Sequence, residues 1–257
     1  MAHDFSSVTE TGDGDVSLAQ LERMVQRYFW AREYCKDKDV LEVACGIGQG
    51  LGCLAEVAKS VQAGDITPSL VKRARFHYGD RVKIFELDAE RLSFDAESFD
   101  VVILFEAIYY IPNAEKFIDE CRRILRPGGM LLLATANKDL FDFNPSPYSV
   151  TYYNPPELDV MLSVYGFDST FLGGSPVNSH SILSKLIRLV KVTAVKFNLI
   201  PGSMRSKQWL KRILFGKLSP MPKEICASDA PYISPVPIDG SHADTQNQVI
   251  YCVAKLR

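Results

Sequence analysis

The stretch 40-VLEVACGIGQGLG-52 places small and apolar residues around one acid, Glu42, directly before glycines at 46, 48, 50 and 52. The first half has the composition of a buried strand, and the second allows a tight turn into a helix. In a doubly wound sheet, ligands sit outside the carboxyl ends of the strands, where the first strand turns into the first helix. Glycine there lets backbone and ligand approach without a Cβ between them; a ligand-free glycine turn is the plainer alternative. The spacing excludes two phosphate motifs. A G-x-G-x-x-G count from Gly46 ends on Leu51, and from Gly48 on Cys53, while no G-K-S or G-K-T follows for a P-loop.

Working outward, Leu18, Leu21, Val25 and Phe29 recur at helical spacing behind Ser17, a residue suited to an N-cap, so 17–35 is expected as a helix. After the glycines, 51-LGCLAEVAK-59 is expected as helix and 60-SVQAG-64 as strand. The segment 67-TPSLVKRARFHYG-79 opens on Thr-Pro and closes on Gly, a helix with both stops. Strands follow at 82–87, 100–105 and 130–136, with a helix at 114–125 between the last two. Beyond them lie a helix at 154–167, a strand at 167–172 and a last strand at 248–255. Strands apolar on both faces, alternating with helices, imply a mostly parallel seven-stranded doubly wound α/β sheet. About 75 residues separate the last two strands, too long for an ordinary connection. The expected organisation is a flexible 1–16, a ligand-binding domain over 17–175 and 246–257, and a basic, largely helical insertion over 176–245.

A hydrophobic content of 47% over 257 residues fills a sizeable core and excludes a disordered chain. The six cysteines form no C-x-x-C pair, so neither a zinc site nor a disulfide framework is suggested and no metal is expected. The polar, acidic start and the absence of a long apolar run point to a cytoplasmic protein. Net charge is −2, unevenly spread: 180–223 holds ten Lys or Arg and no Asp or Glu. Within it, 182–197 and 207–218 mix basic and apolar residues at helical spacing. Such helices suit an anionic lipid surface at the inner face of the membrane, or equally a cap packed over the active site. Nucleic acid is the weaker choice, because the rest of the chain is acidic.

The motif 42-EVACGIG-48 resembles the E/D-x-G-x-G-x-G turn of class I S-adenosylmethionine (SAM)-dependent methyltransferases, a Rossmann-like fold, and within them the methyltransferase type 11 group. Ala44 stands where the family has its first glycine. Further segments match in the family's order: 61-VQAGDITPSLVKRAR-75, 87-LDAERLSF-94, 98-SFDVVILFEAIYYIPN-113 and 122-RRILRPGGMLLLAT-135. The resemblance implies SAM as cofactor, S-adenosyl-L-homocysteine as product, and a cofactor site of Tyr28, Glu42, Ala44, Gly46, Gly48, Asp65, Ile66, Asp88, Ala89, Phe105 and Glu106. By the same resemblance Asp65 accepts from both ribose hydroxyls, Asp88 takes the exocyclic amine and Ala89 offers a backbone amide. One ionised carboxylate accepting from a diol is a charge-assisted pairing. A helix N-cap for Asp65 and an ordinary turn for Asp88 are the structural alternatives.

The leader 27-RYFWA-31, the A-C-G-x-G-x-G turn and the pair Phe105-Glu106 are similar to methyltransferases of surface-polysaccharide and lipopolysaccharide biosynthesis. That similarity implies O-methylation of a sugar or glycan acceptor, lipid-linked or free. N- or C-methylation of a small metabolite, and a non-catalytic SAM-binding regulatory protein, are the alternatives. The chain departs from these relatives at 109-YY-110, where Glu-His is frequent. Candidates for a base are Glu106, Tyr109, Tyr110 and His180. The segment 142-DFNPSPYSVTYYNPPEL-158, rich in proline and tyrosine, is expected as an acceptor lid or a plain loop.

Overall fold

The computed structural model describes Phe5, 15–177 and 218–257. Its central sheet is built from β2 (Asp39–Val43), β3 (Ser60–Asp65), β4 (Lys83–Glu86), β5 (Phe99–Phe105), β6 (Leu125–Ala136), β7 (Phe167–Pro176), β9 (Val236–Pro237) and β10 (Asn247–Leu256). These eight strands lie in the order β4-β3-β2-β5-β6-β10-β7-β9. Strands β2 to β6 pair in parallel, whereas β10 runs antiparallel between β6 and β7. All seven expected strands are present. The eighth is the two-residue β9 at the edge, pairing with Leu172 and Gly173, too short to leave a sequence pattern.

Strand alternation splits the core into two layers. Val101 and Ile103 face the layer of α1 (Leu18–Cys35), α2 (Leu51–Ala55) and α3 (Pro68–Tyr78). Val102 and Leu104 face that of α4 (Ala114–Ile124) and α5 (Pro155–Val164), where Phe117, Ile118 and Leu162 are fully buried. Each such side chain contributes about 1.5–3 kcal/mol by leaving water. An acid at Ile103 would therefore break the fold from its middle strand.

Local signals set the helix ends. Ser17 accepts from the Gln20 amide while the Gln20 side chain accepts from the Ser17 amide, a reciprocal capping box. Pro68 opens α3, and Gly79 at φ 53° closes it. Helix α2 is shorter than the expected 51–59: the Val57 and Ala58 amides both close on the Leu54 carbonyl, and the chain leaves at once for β3.

Two further strands, β1 (Asp15–Ser17) and β8 (Leu218–Pro220), form a separate antiparallel pair ahead of α1. After β8 the chain buries Met221, Ile225 and Ala230 against the α1–α3 layer. Residues 218–245 contain no helix. The basic segments at 182–197 and 207–217, and His180, lie outside the described residues. Among the described residues no helix is long and apolar enough to cross a membrane.

Candidate functional site

The carboxyl ends of β2, β3, β5 and β6, with the opposed start of β10, open into one cavity of 930 Å³. Ten of the cofactor-site residues expected from the sequence line it: Tyr28, Glu42, Ala44, Gly46, Asp65, Ile66, Asp88, Ala89, Phe105 and Glu106.

The glycine run divides by purpose. Gly46 (φ 60°) and Gly48 (φ 84°) make the left-handed turn out of β2; Gly46 lines the cavity, and Gly48 is not among its lining residues. Gly50 and Gly52 instead make room for side chains from elsewhere, since a Cβ on Gly50 would overlap the Tyr28 ring, and one on Gly52 the Glu224 carboxylate. The Tyr78 hydroxyl donates to the Gly48 carbonyl (2.6 Å) and accepts from the Gly52 amide (3.1 Å), bracing the turn from α3. Ala44, in place of the family's first glycine, also has a left-handed φ of 58°. For an L-residue that conformation costs about 1–2 kcal/mol.

Asp65, buried at the tip of β3, accepts from the Gly46 amide (2.9 Å) through Oδ2 and from the Thr67 amide (2.8 Å) through Oδ1. It thus ties the β2 turn to the start of α3, although the N-cap of that helix is Thr67 and not Asp65. Each oxygen keeps a second lone pair for an outside donor. Burial raises its carboxyl above the usual range, and the two amides oppose that rise. Asp88 and Ala89 stand just beyond β4, where Asp88 Oδ1 accepts from the Glu90 amide (2.9 Å).

Glu42 is the electrostatic centre. Its Oε1 accepts from the Tyr28 hydroxyl at 2.6 Å, while Oε2 is buried without a hydrogen-bond partner among the described residues. Burial pushes its carboxyl up to about 7, against the opposing pull of the Tyr28 hydroxyl and the Arg27 charge. An unsatisfied buried acceptor beside a cavity is the mark of a site completed by a cationic or donor ligand.

Glu106, at φ 50°, turns out of β5, and its amide donates to the Ala134 carbonyl (2.7 Å). Its carboxylate lies 3.6 Å from the buried Arg27 guanidinium and accepts from the Tyr109 hydroxyl at 3.1 Å. Burial first, then the Glu106 charge, drives the Tyr109 hydroxyl far above its ordinary value. Tyr109 is therefore a donor to Glu106. Tyr110 bonds to Ser146 of the proline-rich segment. The Tyr109 ring stacks on Tyr152 (4.3 Å, 20°), Phe143 meets Tyr152 edge-on, and the Val150 amide donates to the Tyr109 carbonyl. From segment 142–158, Phe143, Ser146, Tyr148 and Val150 line the cavity, with Tyr152 stacked on Tyr109 but not among the lining residues.

Sequence reasoning passed over Arg23, Gln49 and Asn137 as site residues, and named Arg27 only within the leader. Two arginines four apart on α1 are a legible signal, since i and i+4 share a helical face. Gln49 and Asn137 leave no pattern.

The residues fit a nucleoside sulfonium amino acid. Asp65 suits a diol, Glu42 Oε2 an ammonium, Arg27 a carboxylate, and Asp88 with the Ala89 backbone a heterocycle edge. Residues 41–133 match the model of a methyltransferase domain. The chain is 35% identical over 138 residues to the probable S-adenosylmethionine-dependent methyltransferase of Mycolicibacterium smegmatis, spanning 52% of this chain and 53% of that protein. It is 30% identical over 132 residues to the ubiquinone biosynthesis O-methyltransferase of Sinorhizobium medicae, 49% of this chain and 53% of that one. The chain thus spans about half the length of the curated relatives it matches. A crystal structure from Thermotoga maritima, titled a SAM-dependent methyltransferase and possible histamine N-methyltransferase, shares the fold. The TM-score is 0.58 at 14% identity, covering 93% of this chain and 92% of that one.

Proposed function

We propose, from the premise that residues 41–133 form a class I SAM-dependent methyltransferase domain, that the chain methylates a hydroxyl of a sugar or glycan, free or lipid-linked. The cofactor, S-adenosyl-L-methionine, supplies a methyl group on a positively charged sulfur. The observation that carries the proposal is the shape of the cavity. At 930 Å³ it stands near the top of the range of about 300–1,000 Å³ for small-ligand sites, and it extends past the cofactor residues to an aromatic wall.

The residues divide the work between cofactor and acceptor. Asp65, Asp88 and Glu42 hold the cofactor over β3, β4 and β2, and Arg27 answers its carboxylate. Tyr109, Tyr110 and Phe143 offer faces for a sugar ring. Glu106, oriented by Tyr109 and Arg27, is the group placed to take the acceptor's proton. Alignment and exclusion of water supply much of the rate when charge disappears in the transfer. Contact of 180–223 with anionic lipid is part of the proposal, resting on sequence alone; flotation with vesicles that contain or lack anionic lipid checks it, and equal recovery would refute it.

A second acceptor is favoured by the aromatic side chains Tyr109, Tyr110 and Phe143 on the cavity wall. Such a wall also receives a small phenolic ring, the class implied by the ubiquinone relative's name. Incubating the protein with labelled SAM and separate glycolipid and phenolic-lipid extracts tests both. Label in the glycolipid fraction is expected, label only in the phenolic fraction selects the second acceptor, and none in either removes methyl transfer.

A further inference from the structure

The cavity is long. From β4, where Asp88 stands, to β10 is five strand spacings, about 24 Å. The nucleoside-binding residues occupy the β3–β4 end. At the other end Arg23 leans from α1 onto β10, its Nη1 donating to Gln248 Oε1 at 3.1 Å, and both residues line the cavity. Arg23 has no carboxylate partner among the described residues. Its neighbours one helical turn away are Ala19, Gln20, Gln26 and Arg27, none acidic. Arg27 stands 3.6 Å from the Glu106 carboxylate and is the arginine assigned to the cofactor's own carboxylate. The Gln248 contact occupies part of one fork of a guanidinium that carries five N–H donors. Apolar Val177 and Val249 flank this end of the cavity.

We infer that Arg23 is the recognition point for an oxyanion on the acceptor, a carboxylate or a phosphate, so that the substrate is an acidic sugar derivative or sugar phosphate. The inference rests on the methyl-transfer reading of the same cavity and narrows its substrate. A guanidinium fork matches both oxyanions with paired hydrogen bonds. Gln248 adds a side-chain amide that can donate to the same oxygens. The acceptor would lie between two fixed points: its anion at Arg23 over β10, and its hydroxyl at Glu106 over β5.

The test uses the full chain saturated with S-adenosylhomocysteine and titrated with three probes sharing one aromatic group: 4-nitrophenyl β-glucuronide, 4-nitrophenyl phosphate and the neutral 4-nitrophenyl β-glucoside. At least one anionic probe is expected to bind about three- to tenfold more tightly than the glucoside, the range for a half-exposed charge-assisted contact. Which anion wins distinguishes carboxylate from phosphate. Arg23→Gln is expected to erase the preference, leaving S-adenosylhomocysteine affinity unchanged, and Arg23→Lys to keep part of it. A glucoside bound as tightly as both anions, or a preference that survives Arg23→Gln, overturns the inference. Failure of S-adenosylhomocysteine to bind the native chain strikes instead at the methyl-transfer reading, and the same three titrations without it still decide the anion preference.

Discussion

Replacing Glu42 with Gln should push stability and cofactor affinity in opposite directions. The substitution keeps an oxygen to accept from Tyr28 and nearly the same volume; it removes the charge and sets an amide NH2, in place of the protonated form's O–H, at the Oε2 position. The Glu42 carboxyl loses its proton near 7 in the fold and near 4.5 when free of it. Because the folded value is the higher one, its contribution to stability is intact below about pH 4.5 and is lost as pH rises through 7. The loss amounts to about 3 kcal/mol. Glu42→Gln should therefore be about as stable as the native chain at pH 5. At pH 8 it should be more stable by up to about 3 kcal/mol, which for a chain of this size is roughly 6–12 °C in melting temperature. Affinity moves the other way. A ligand ammonium at Oε2 favours the ionised form, so native affinity for S-adenosylhomocysteine should rise as pH climbs to about 7 and level off above it. The Gln variant should bind more weakly and lose this slope. Denaturant unfolding and calorimetric titration at pH 5, 6, 7 and 8 give both curves. Equal destabilisation of Glu42→Gln at every pH would refute the assignment of a high-pKa buried carboxyl, and an unchanged pH slope of binding would remove the ammonium from Oε2.

Three other substitutions probe the turn. Asp65→Ala should weaken S-adenosylhomocysteine binding by about 1.5–3 kcal/mol through loss of charge-assisted bonds, seen by calorimetry; unchanged affinity would leave Asp65 as a turn brace alone. Ala44→Gly should raise stability in denaturant unfolding by about 1 kcal/mol, because glycine relieves the left-handed φ of 58°. Gly50→Ala should destabilise the chain by about 1–3 kcal/mol in the same assay by forcing the Tyr28 ring from its place, and should lower the cofactor affinity that depends on Glu42 being held.

Much of the fold was legible because a parallel sheet writes itself in apolar runs: 100–105 and 130–136 could only be central strands. The capping box at Ser17 and the Pro68 and Gly79 stops were equally local. The two-residue β9 was not, since its pairing with Leu172 and Gly173 depends on β7 being there first. In the site, the turn at 42–48 was legible as a ligand cradle, yet Gly50 and Gly52 carried the same letter for a different reason. Their small size serves Tyr28 and Glu224, which the sequence places 22 residues before one and 172 after the other. Asp65 was legible as an acid at a strand tip, while its bonds to two backbone amides follow from how β2 and β3 lie side by side. The orphaned Oε2 of Glu42 could not be foreseen, for it depends on the dryness of the surrounding pack of side chains.

The most direct measurement is a crystal structure grown with S-adenosylhomocysteine. It should show the ribose hydroxyls on Asp65, the amino group against Glu42, and open volume beside the sulfur toward Glu106 and Arg23. A ligand elsewhere on the chain, or an empty crevice at the β2 turn under saturating ligand, would contradict it.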